Sequence, residues 1–488
     1  MRPLVVTLDV GTSSVRAALY DRIGRRFREP WVQLAYRMEV TAEGGVSVPV
    51  AQLLTVVDDV LDAFASEAGE LLDDAVAVGI SCFLHSLVGL DEDGRPLTPV
   101  YSWADTTSAP AVEDLRRALP EEPTRQRTGA PFHASYWPAR IHHLRAREGR
   151  DDRAISGWAG FPELLIEHLC GERLVGASLA SATGLFGRDG GRWDPGLMAV
   201  LGLTADRLPR LVDDGTPTAG LASRHHDRWP RLARLRWHVP WSDAASSNVG
   251  LGCIGADRAA LIVGTSGAMR VLTAVSPPHI PQGLFAFRLG GQLTLLGGQL
   301  SEGGAAVAWL SQLTGVAPRR LEALASEQPP DAHGLTVLPY LTGERGPGYH
   351  SDARAVLSGI SLRTDAAALH RALLEGIAFR FAHLDARLSE SLPGPPAVVV
   401  SGGALARSPL WRQIVADALG RDVEASVVGE SSSRGVAILV LDASGAIESI
   451  DSAPIPRSRM VWADGETHSR YREAIERQTD LYRRILES

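Results

Sequence analysis

The feature that most constrains this chain is a strand–tip–strand pattern that occurs twice. The first copy has an apolar, β-branched segment at 4–10 and an alternating segment at 15–19, and the second has the corresponding segments at 260–263 and 269–272. A glycine turn joins each pair, and such turns aim backbone N–H groups and hydroxyls at phosphate oxygens. The candidate phosphate-binding residues of the two tips are Gly11, Thr12, Ser13, Ser14, Gly264, Thr265 and Ser266. Two such hairpins, each opening one half of the chain, predict a duplicated architecture with one tip in each lobe.

The rest of the chain alternates predicted strands with predicted helices. Buried strands are expected at 75–81 and 397–400, and an amphipathic helix begins near residue 364. Another helix is bounded by Ser408 as its N-cap and by Gly420 just past its end. A chain of 488 residues is too long for one ordinary core. These elements therefore predict two α/β lobes packed around a cleft.

The absence of lysine restricts the chemistry. All 49 residues in the combined count of lysine and arginine are arginine. A Walker-type phosphate loop, the protein-kinase strand lysine and Schiff-base catalysis each require a lysine amine. All three are excluded, so any phosphate must be held by backbone N–H groups, hydroxyls, arginine or a metal ion.

The overall charge and the cysteine content narrow the partners and the compartment. A formal net charge of −8 argues against a nucleic-acid surface, which needs clustered positive charge. No apolar run reaches the length of a membrane span, and the N-terminus lacks the character of a signal peptide. The three cysteines are scattered without metal-ligand spacing. We therefore expect a cytoplasmic protein that contacts neither nucleic acid nor membrane, and the sequence leaves the oligomeric state open, a homodimer included.

Two aspartates stand where phosphoryl-transfer chemistry needs carboxylates. Asp9 precedes the first tip and is placed to hold Mg²⁺ directly or through water. Asp243 stands near the start of a predicted helix at 241–248, where it is either an N-cap or a general base for a substrate hydroxyl. The sequence alone leaves both alternatives open for Asp243.

A double glycine follows the predicted strand at 397–400. Gly402 and Gly403 lie between that strand and a helix. Glycines at such a place let a flat ligand such as adenine approach the backbone, and close packing of the strand against the helix explains them equally well.

Taken together, these motifs resemble the FGGY family of carbohydrate kinases over nearly the whole chain. The matching segments, in the family's order, are Asp9 to Ser14 with Arg16, Asp243 to Gly250, Gly343 to Pro347 with Arg371 to Gly376, Gly402 and Gly403 with Ser408, Trp411 and Gln413, and Glu430 to Gly435. The resemblance implies two actin-like, ribonuclease H-like α/β lobes around a central nucleotide and sugar cleft. It also implies a sugar-binding lobe at 1–242 and an ATP-binding lobe at 243–488.

The resemblance assigns roles to the candidate residues. ATP and Mg²⁺ are the expected cofactors, Asp243 is the general base, and Asp9 and Asp243 face the metal ion. The residues implied for nucleotide binding are those of the two tips together with Arg16, Gly402, Gly403 and Ser408. The resemblance thus implies an ATP-dependent kinase of a small polyhydroxylated substrate. The alternative interpretation is a catalytically silent sugar or nucleotide sensor on the same fold.

Within the family the chain is most similar to the gluconokinase-like branch. The substrate residues implied by that similarity are His85, Trp103, Asp105, His133, Tyr136 and Asp243. A sugar acid needs a cation, and Arg140 or a histidine is the candidate. The chain departs from the branch pattern at Thr107, Ser301-Glu302 and Tyr349-His350. Thr107 stands where an arginine is usual, and Glu302 is an added negative charge. Both changes count against a carboxylate substrate if the side chains face it. Gluconate is the leading expectation, and a ketopentose, another polyol or a cyclitol stays open.

Overall fold

The computed structural model describes residues 3–148, 155–274 and 279–487. The first half of the chain contains the strands β1 (Leu4–Val10), β2 (Ser14–Tyr20), β3 (Arg26–Ala35), β4 (Glu39–Val40), β5 (Val46–Val48), β6 (Ala75–Cys82), β7 (Val88–Leu90), β8 (Val100–Tyr101), β9 (Gly157–Ala159), β10 (Leu174–Gly176), β11 (Phe186–Gly187), β12 (Arg192–Trp193), β13 (Arg210–Val212), β14 (Arg236–Trp237) and β15 (Trp241–Ser242). Its helices are α1 (Val50–Ala68), α2 (Ala109–Ala118), α3 (Glu121–Thr128), α4 (Trp137–Glu148), α5 (Phe161–Cys170), α6 (Ala177–Ala180) and α7 (Pro195–Leu201).

The second half repeats the alternation of strands and helices. Its strands are β16 (Arg258–Val263), β17 (Gly267–Thr273), β18 (Phe285–Leu289), β19 (Leu293–Leu300), β20 (Thr336–Leu338), β21 (Val356–Ser358), β22 (Ala397–Ser401), β23 (Val423–Ser426) and β24 (Ser458–Val461). Its helices are α8 (Asp243–Gly250), α9 (Gly304–Thr314), α10 (Pro318–Ser326), α11 (Ala366–Glu390), α12 (Gly403–Arg407), α13 (Pro409–Leu419), α14 (Ser431–Ala443) and α15 (Gly465–Leu486).

The main sheets of the two lobes share one topology, which confirms the predicted α/β fold. In the first lobe β3, β2 and β1 form an antiparallel meander, and β6 pairs parallel to β1. In the second lobe β19, β17 and β16 are the corresponding three antiparallel strands, with β18 paired on the outer side of β19, and β22 pairs parallel to β16. Each hairpin closes directly at its tip, where Val10 pairs with Val15 and Val263 pairs with Gly267.

Alternating side chains cover both faces of each sheet with helices. In β1, Leu4, Val6 and Leu8 pack in the cluster that contains α1, whereas Val5 packs in the cluster that contains the apolar residues of α14. The period of two in a strand sends successive side chains to opposite faces, so this sheet is buried between two helices. A late segment of the chain thus completes the core of the first lobe.

The two lobes meet through α14 and α8. Helix α14 packs on β1 and β6 of the first lobe, and α8 packs on α14 and on β17 of the second lobe. Glycines stand at this crossing: a Cβ added to Gly435 would lie 1.7 Å from the carbonyl oxygen of Ser246, and one added to Gly250 would lie 1.8 Å from that of Ser431. The two helices approach as closely as they do because these positions have no side chain.

The local helix signals in the second half behave as expected. The Oγ of Ser408 accepts a hydrogen bond from the Trp411 amide at 2.9 Å, and Gly420 ends α13 in the left-handed region with φ +66°. Asp365 caps α11 by accepting from the Ala368 amide at 2.8 Å. Among the described residues, no helix combines the length and the apolar character needed to cross a membrane.

Candidate active site

A cleft of about 270 Å³ opens between the two lobes at the hairpin tips. The structure brings most of the predicted site residues together in its walls, namely Asp9, Gly11, Thr12, Ser13, Arg16, His85, Trp103, Asp243, Gly264, Thr265 and Ser266. Residues that the sequence did not single out for this site line it as well, among them Arg270, Gln299, Arg345 and Ser432. We refer to this cavity as the cleft.

Asp9 is fixed at the end of β1 by partners from both halves of the chain. Its Oδ2 accepts hydrogen bonds from Arg16 Nη1 at 3.1 Å and from the hydroxyl of Ser432 at 2.9 Å. Arg16 in turn has its Nε 3.6 Å from a carboxylate oxygen of Glu430. One carboxylate oxygen of Asp9 is thereby anchored beside the first tip, and the side chain lines the cleft.

Asp243 is the first residue of α8 and lines the same cleft. The N-cap is Ser242, whose Oγ accepts from the Ala245 amide at 3.2 Å, so the N-cap interpretation of Asp243 is wrong. Burial raises the pKa of Asp243 to about 7, the charge of Arg270 opposes this rise, and the charge of Asp9 adds to it. A carboxyl group with that pKa accepts a proton readily near neutral pH.

The two tips are tight turns with similar internal hydrogen bonds. The Gly11 amide donates to the Ser14 carbonyl at 3.0 Å, and the Gly264 amide donates to the Ser266 carbonyl at 2.9 Å. The start of α9 closes on the second tip, because the Gly304 amide donates to the Gly264 carbonyl at 2.7 Å. Ser14 itself lies at the start of β2 with a buried Oγ and is not among the residues that line the cleft.

A second pocket of about 560 Å³ adjoins the second tip through Gly304. Ser408 lines it with Ala404 and Trp411, and the Ser408 hydroxyl donates to Glu322 at 2.8 Å. Most of the exposed lining of this pocket is apolar, as a flat aromatic ligand requires. We refer to it as the Ser408 pocket.

The double glycine stands directly beside the second lobe's hairpin. Gly402 has φ +97°, and a Cβ there would lie 2.4 Å from the Val263 carbonyl oxygen. Gly403 begins α12, which leads to Ser408. The close approach of backbone segments explains Gly402. Neither Gly402 nor Gly403 is among the residues that line the Ser408 pocket, which Ala404, directly after Gly403, does line.

Three of the predicted substrate residues, His85, His133 and Tyr136, form an aromatic group, of which His85 lines the cleft while His133 and Tyr136 lie behind it. His85 has the positive φ of 64°, which is uncommon for a side chain of its size and marks a constrained position. Its ring lies 5.0 Å from that of Tyr136, and the rings of His133 and Tyr136 are 6.5 Å apart. Burial, aided by the charge of Arg345, lowers the pKa of both histidines to about 3, so both are neutral. We call this region the His85 end of the cleft.

Asp105 and Arg140 do not face the cleft. One carboxylate oxygen of Asp105 accepts from the Val46 amide at 3.0 Å, and the other accepts from the Thr107 hydroxyl at 2.6 Å. Arg140 donates to the backbone carbonyls of His85 and Ser102. Asp105 therefore stabilises the loop around Thr107, and Arg140 stabilises the backbone at His85.

The departures from the branch pattern are also turned away from the cleft. Thr107 is bonded to Asp105, as described above, and Glu302 accepts from the Leu341 amide at 3.1 Å. Burial raises the pKa of Glu302 to about 8, which reduces its negative charge at neutral pH. Tyr349 packs its ring 5.8 Å from that of His133. None of these residues is among those that line the cleft, although the charge of Glu302 acts on Arg345, which does line it.

Arg270 and Arg345 are the residues that sequence reasoning missed. Arg345 was visible within the Gly343 to Pro347 motif, although no role followed from it. Arg270 stands four residues after Ser266 of the second tip, and alternation along β17 was its only signal. The structure places both side chains in the cleft wall.

A larger cavity of about 920 Å³ lies elsewhere, between α3 and the helices α11 and α15. It shares no lining residue with the cleft and contains none of the predicted site residues. The tips and both aspartates lie in the smaller cleft, which is therefore the candidate active site.

Comparisons with known proteins agree with this arrangement. The model of the N-terminal domain of the FGGY family of carbohydrate kinases matches residues 4–245, and that of the C-terminal domain matches residues 259–443. A gluconokinase of Bacillus subtilis (strain 168) is 26% identical over 471 residues, covering 93% of this chain and 90% of that protein. A xylulose kinase of Escherichia coli (strain K12) is 25% identical over 426 residues, covering 85% and 86%. The crystal structure of a gluconate kinase from Lactobacillus acidophilus superposes with a TM-score of 0.88 at 22% identity and covers 99% of this chain and 98% of that one.

Proposed function

This chain belongs to the FGGY family of carbohydrate kinases, and on that premise we propose that it transfers the γ-phosphate of ATP to a terminal hydroxyl of D-gluconate. One observation carries the proposal: Asp9 and Asp243 line one cleft together with both glycine tips. That combination places a proton acceptor beside hydrogen-bond donors that can bind phosphate. Phosphoryl transfer requires both of a protein.

Asp243 acts as the general base in this proposal. It removes the proton from the acceptor hydroxyl as the oxygen attacks phosphorus, and the pKa of about 7 suits it to that task near neutral pH. The charge of Arg270 limits the rise in the pKa of Asp243. A useful fraction of the Asp243 carboxyl groups is therefore ionised at pH 7. The cap made by Ser242 fixes the start of α8 and with it the position of Asp243.

ATP is expected to bind mainly on the second lobe and the sugar mainly on the first. The apolar Ser408 pocket suits the adenosine group, and the second tip lies beside it because Gly304 contacts both. The two tips present N–H groups and hydroxyls to the phosphates. This division corresponds to lobes at 1–242 and 243–488, with Arg270 and Arg345 reaching the acceptor from the second lobe.

The carboxylates fit a divalent cation. Burial raises the pKa of Asp243 and the charge of Asp9 adds to that rise, so the two carboxylates act on each other. Hard cations prefer carboxylate oxygens. When bound there, Mg²⁺ would neutralise phosphate charge. Arg16 and Ser432 hold the Asp9 carboxylate in place for it.

Gluconate is favoured as the acceptor for two reasons. The gluconokinase of Bacillus subtilis is among the similar proteins, and the residues that argued against a carboxylate, Thr107 and Glu302, are bonded away from the cleft. A ketopentose is the alternative acceptor, in keeping with the similarity to a xylulose kinase.

The test is ADP release from Mg·ATP against sugar acids, ketopentoses, polyols and cyclitols. We expect gluconate to stimulate release most strongly, and we expect Asp243→Ala to abolish that stimulation. Asp227→Ala, at an exposed acid outside the cleft, is the matched control and should leave it unchanged. Stimulation by a ketopentose alone would replace gluconate as the acceptor, and ATP binding without turnover for any compound would indicate a sensor.

A further inference from the structure

We propose that Arg270 and Arg345 form a carboxylate-binding subsite in the cleft, which selects sugar acids over neutral sugars. This inference rests on the proposed function, because it concerns the acceptor of that reaction. The two arginines take the place of Arg140 as the candidate cation for a sugar acid. Arg140 donates to backbone carbonyls and is unavailable to a ligand.

Arg270 is a buried cation whose Nε has no hydrogen-bond partner among the residues that the structure describes. It alternates along β17 with Met269 and Val271, which pack in the core of the second lobe, so its side chain leaves the opposite face toward the cleft. It is only 7% exposed. Burial lowers the pKa of Arg270 to about 10, which leaves it charged at neutral pH.

Arg345 is held rigidly at the His85 end of the cleft. Its guanidinium lies over the ring of Trp103 with the Cζ 4.3 Å from the centroid. It donates to Gln299 Oε1 and, at 3.0 Å, to the Leu300 carbonyl. These contacts fix the plane of the group while its buried Nε remains without a partner. A planar fork fixed in this way is suited to a carboxylate.

No nearby acid neutralises the two arginines by direct pairing. Within residues 3–148, 155–274 and 279–487, neither Arg270 nor Arg345 has a carboxylate oxygen within the 4.0 Å of an ion pair. Glu344, the neighbour of Arg345 in the chain, pairs with Arg380 at 2.7 Å instead. Asp243 acts on both arginines, and Glu302 acts on Arg345, without a direct ion pair.

The positive charge of Arg345 also affects the neighbouring histidines. Burial depresses the pKa of both His85 and His133, and the charge of Arg345 adds to that effect. The Nε2 of His85 lies 3.4 Å from Gln299 Nε2, beside the Arg345 contact. A neutral imidazole and an amide here offer hydrogen bonds to hydroxyls, and the two guanidinium groups offer the charge that a carboxylate needs.

Burying a charge is costly unless it is paired. A sugar acid would bring a directly paired negative charge to this part of the cleft, whereas a neutral sugar would leave the two guanidinium groups with only the more distant charges of Asp243 and Glu302. The substrate carboxylate therefore gains charge-assisted hydrogen bonds that a neutral acceptor does not.

The test compares D-gluconate with D-gluconamide, which has the same hydroxyls and an uncharged amide in place of the carboxylate. For the wild-type protein we expect kcat/KM to be about 100-fold higher for gluconate, from the strength of charged hydrogen bonds. Arg270→Gln and Arg345→Gln should each lower kcat/KM for gluconate at least about tenfold more than that for gluconamide. Both values should fall, because the charges of both arginines also act on the pKa of the Asp243 base. Arg270→Lys should keep part of the preference, because it keeps the charge.

The control and the contrary outcomes separate this inference from the proposed function. Arg459→Gln, at an exposed position of β24, should leave the ratio unchanged. Equal use of both compounds by the wild type, or equal loss for both compounds in the two arginine variants, would overturn the subsite while leaving gluconate phosphorylation intact. Phosphorylation of neutral sugars with no activity on any sugar acid would overturn the subsite and the choice of gluconate together.

Discussion

Replacing Gly435 by alanine is expected to lower both the stability and the turnover of the enzyme. Alanine in place of glycine within a helix ordinarily stabilises by about 0.5–1 kcal/mol, so the expected sign here is the opposite of the usual one. The reason is the crossing of α14 and α8, where a Cβ on Gly435 would stand 1.7 Å from the Ser246 carbonyl oxygen and 2.9 Å from the Gly250 amide nitrogen. Both of these atoms belong to the backbone, which cannot turn aside as a flexible side chain does.

The magnitude follows from the required displacement. Ordinary van der Waals contact begins at 3.4 Å, so α8 and α14 have to separate by more than an ångström. Overpacking of this kind costs about 3 kcal/mol, which corresponds to a fall in Tm of about 3 °C for a chain of this length. Helix α8 begins at Asp243 and the first turn of α14 holds Ser432, which bonds Asp9. A shift of about 1 Å at catalytic groups costs about 100-fold in rate, and we expect a fall in kcat of that order.

The assay is thermal unfolding combined with steady-state kinetics of the Gly435→Ala variant. Gly465→Ala is the matched control, since Gly465 opens α15 and an added Cβ there meets no atom within 4 Å. The control should unfold at or slightly above the wild-type temperature with an unchanged kcat. A Gly435→Ala protein with wild-type Tm and kcat would refute the claim that this crossing sets the spacing of the two carboxylates.

Three further outcomes are expected. Gly402→Ala should raise KM for ATP at least about tenfold, because a Cβ at φ +97° would lie 2.4 Å from the Val263 carbonyl oxygen beside the second tip; an unchanged KM would separate Gly402 from nucleotide binding. The plot of kcat/KM against pH should have an acid limb near pH 7, with a tenfold fall per pH unit below it. Burial raises the pKa of the Asp243 base to about 7, and protonation removes the base. A limb near pH 4 would contradict this. Ser432→Ala should raise the Mg²⁺ concentration for half-maximal rate about threefold to tenfold, since the variant loses the 2.9 Å hydrogen bond that orients Asp9; a titration identical to that of the wild type would contradict it.

The hairpins and the helix boundaries could be predicted from the sequence because their signals are local. The β-branched run at 4–10 and the cap at Ser408 act within a few residues, and the structure has the strand and the cap where they were expected. The duplicated topology followed from repetition of the same local pattern.

Side-chain direction could not be predicted in the same way, because it depends on long-range packing. Asp105 was expected to face the sugar, yet the Val46 amide, 59 residues earlier in the chain, binds its carboxylate. Arg270 was overlooked because only the completed sheet decides that its face of β17 lines the cleft. The same holds for α14, whose place under the first lobe's sheet has no signal in the residues of that sheet.

The most direct test of the account is product analysis of the wild-type protein incubated with Mg·ATP and D-gluconate. Phosphorus NMR should show one new phosphate monoester on the terminal hydroxyl of gluconate, formed in equal amount to ADP, and neither product should accumulate with the Asp243→Asn variant. ADP formed with free phosphate and no ester, or an ester formed at the wild-type rate by Asp243→Asn, would contradict the claim that Asp243 activates the acceptor hydroxyl in this cleft.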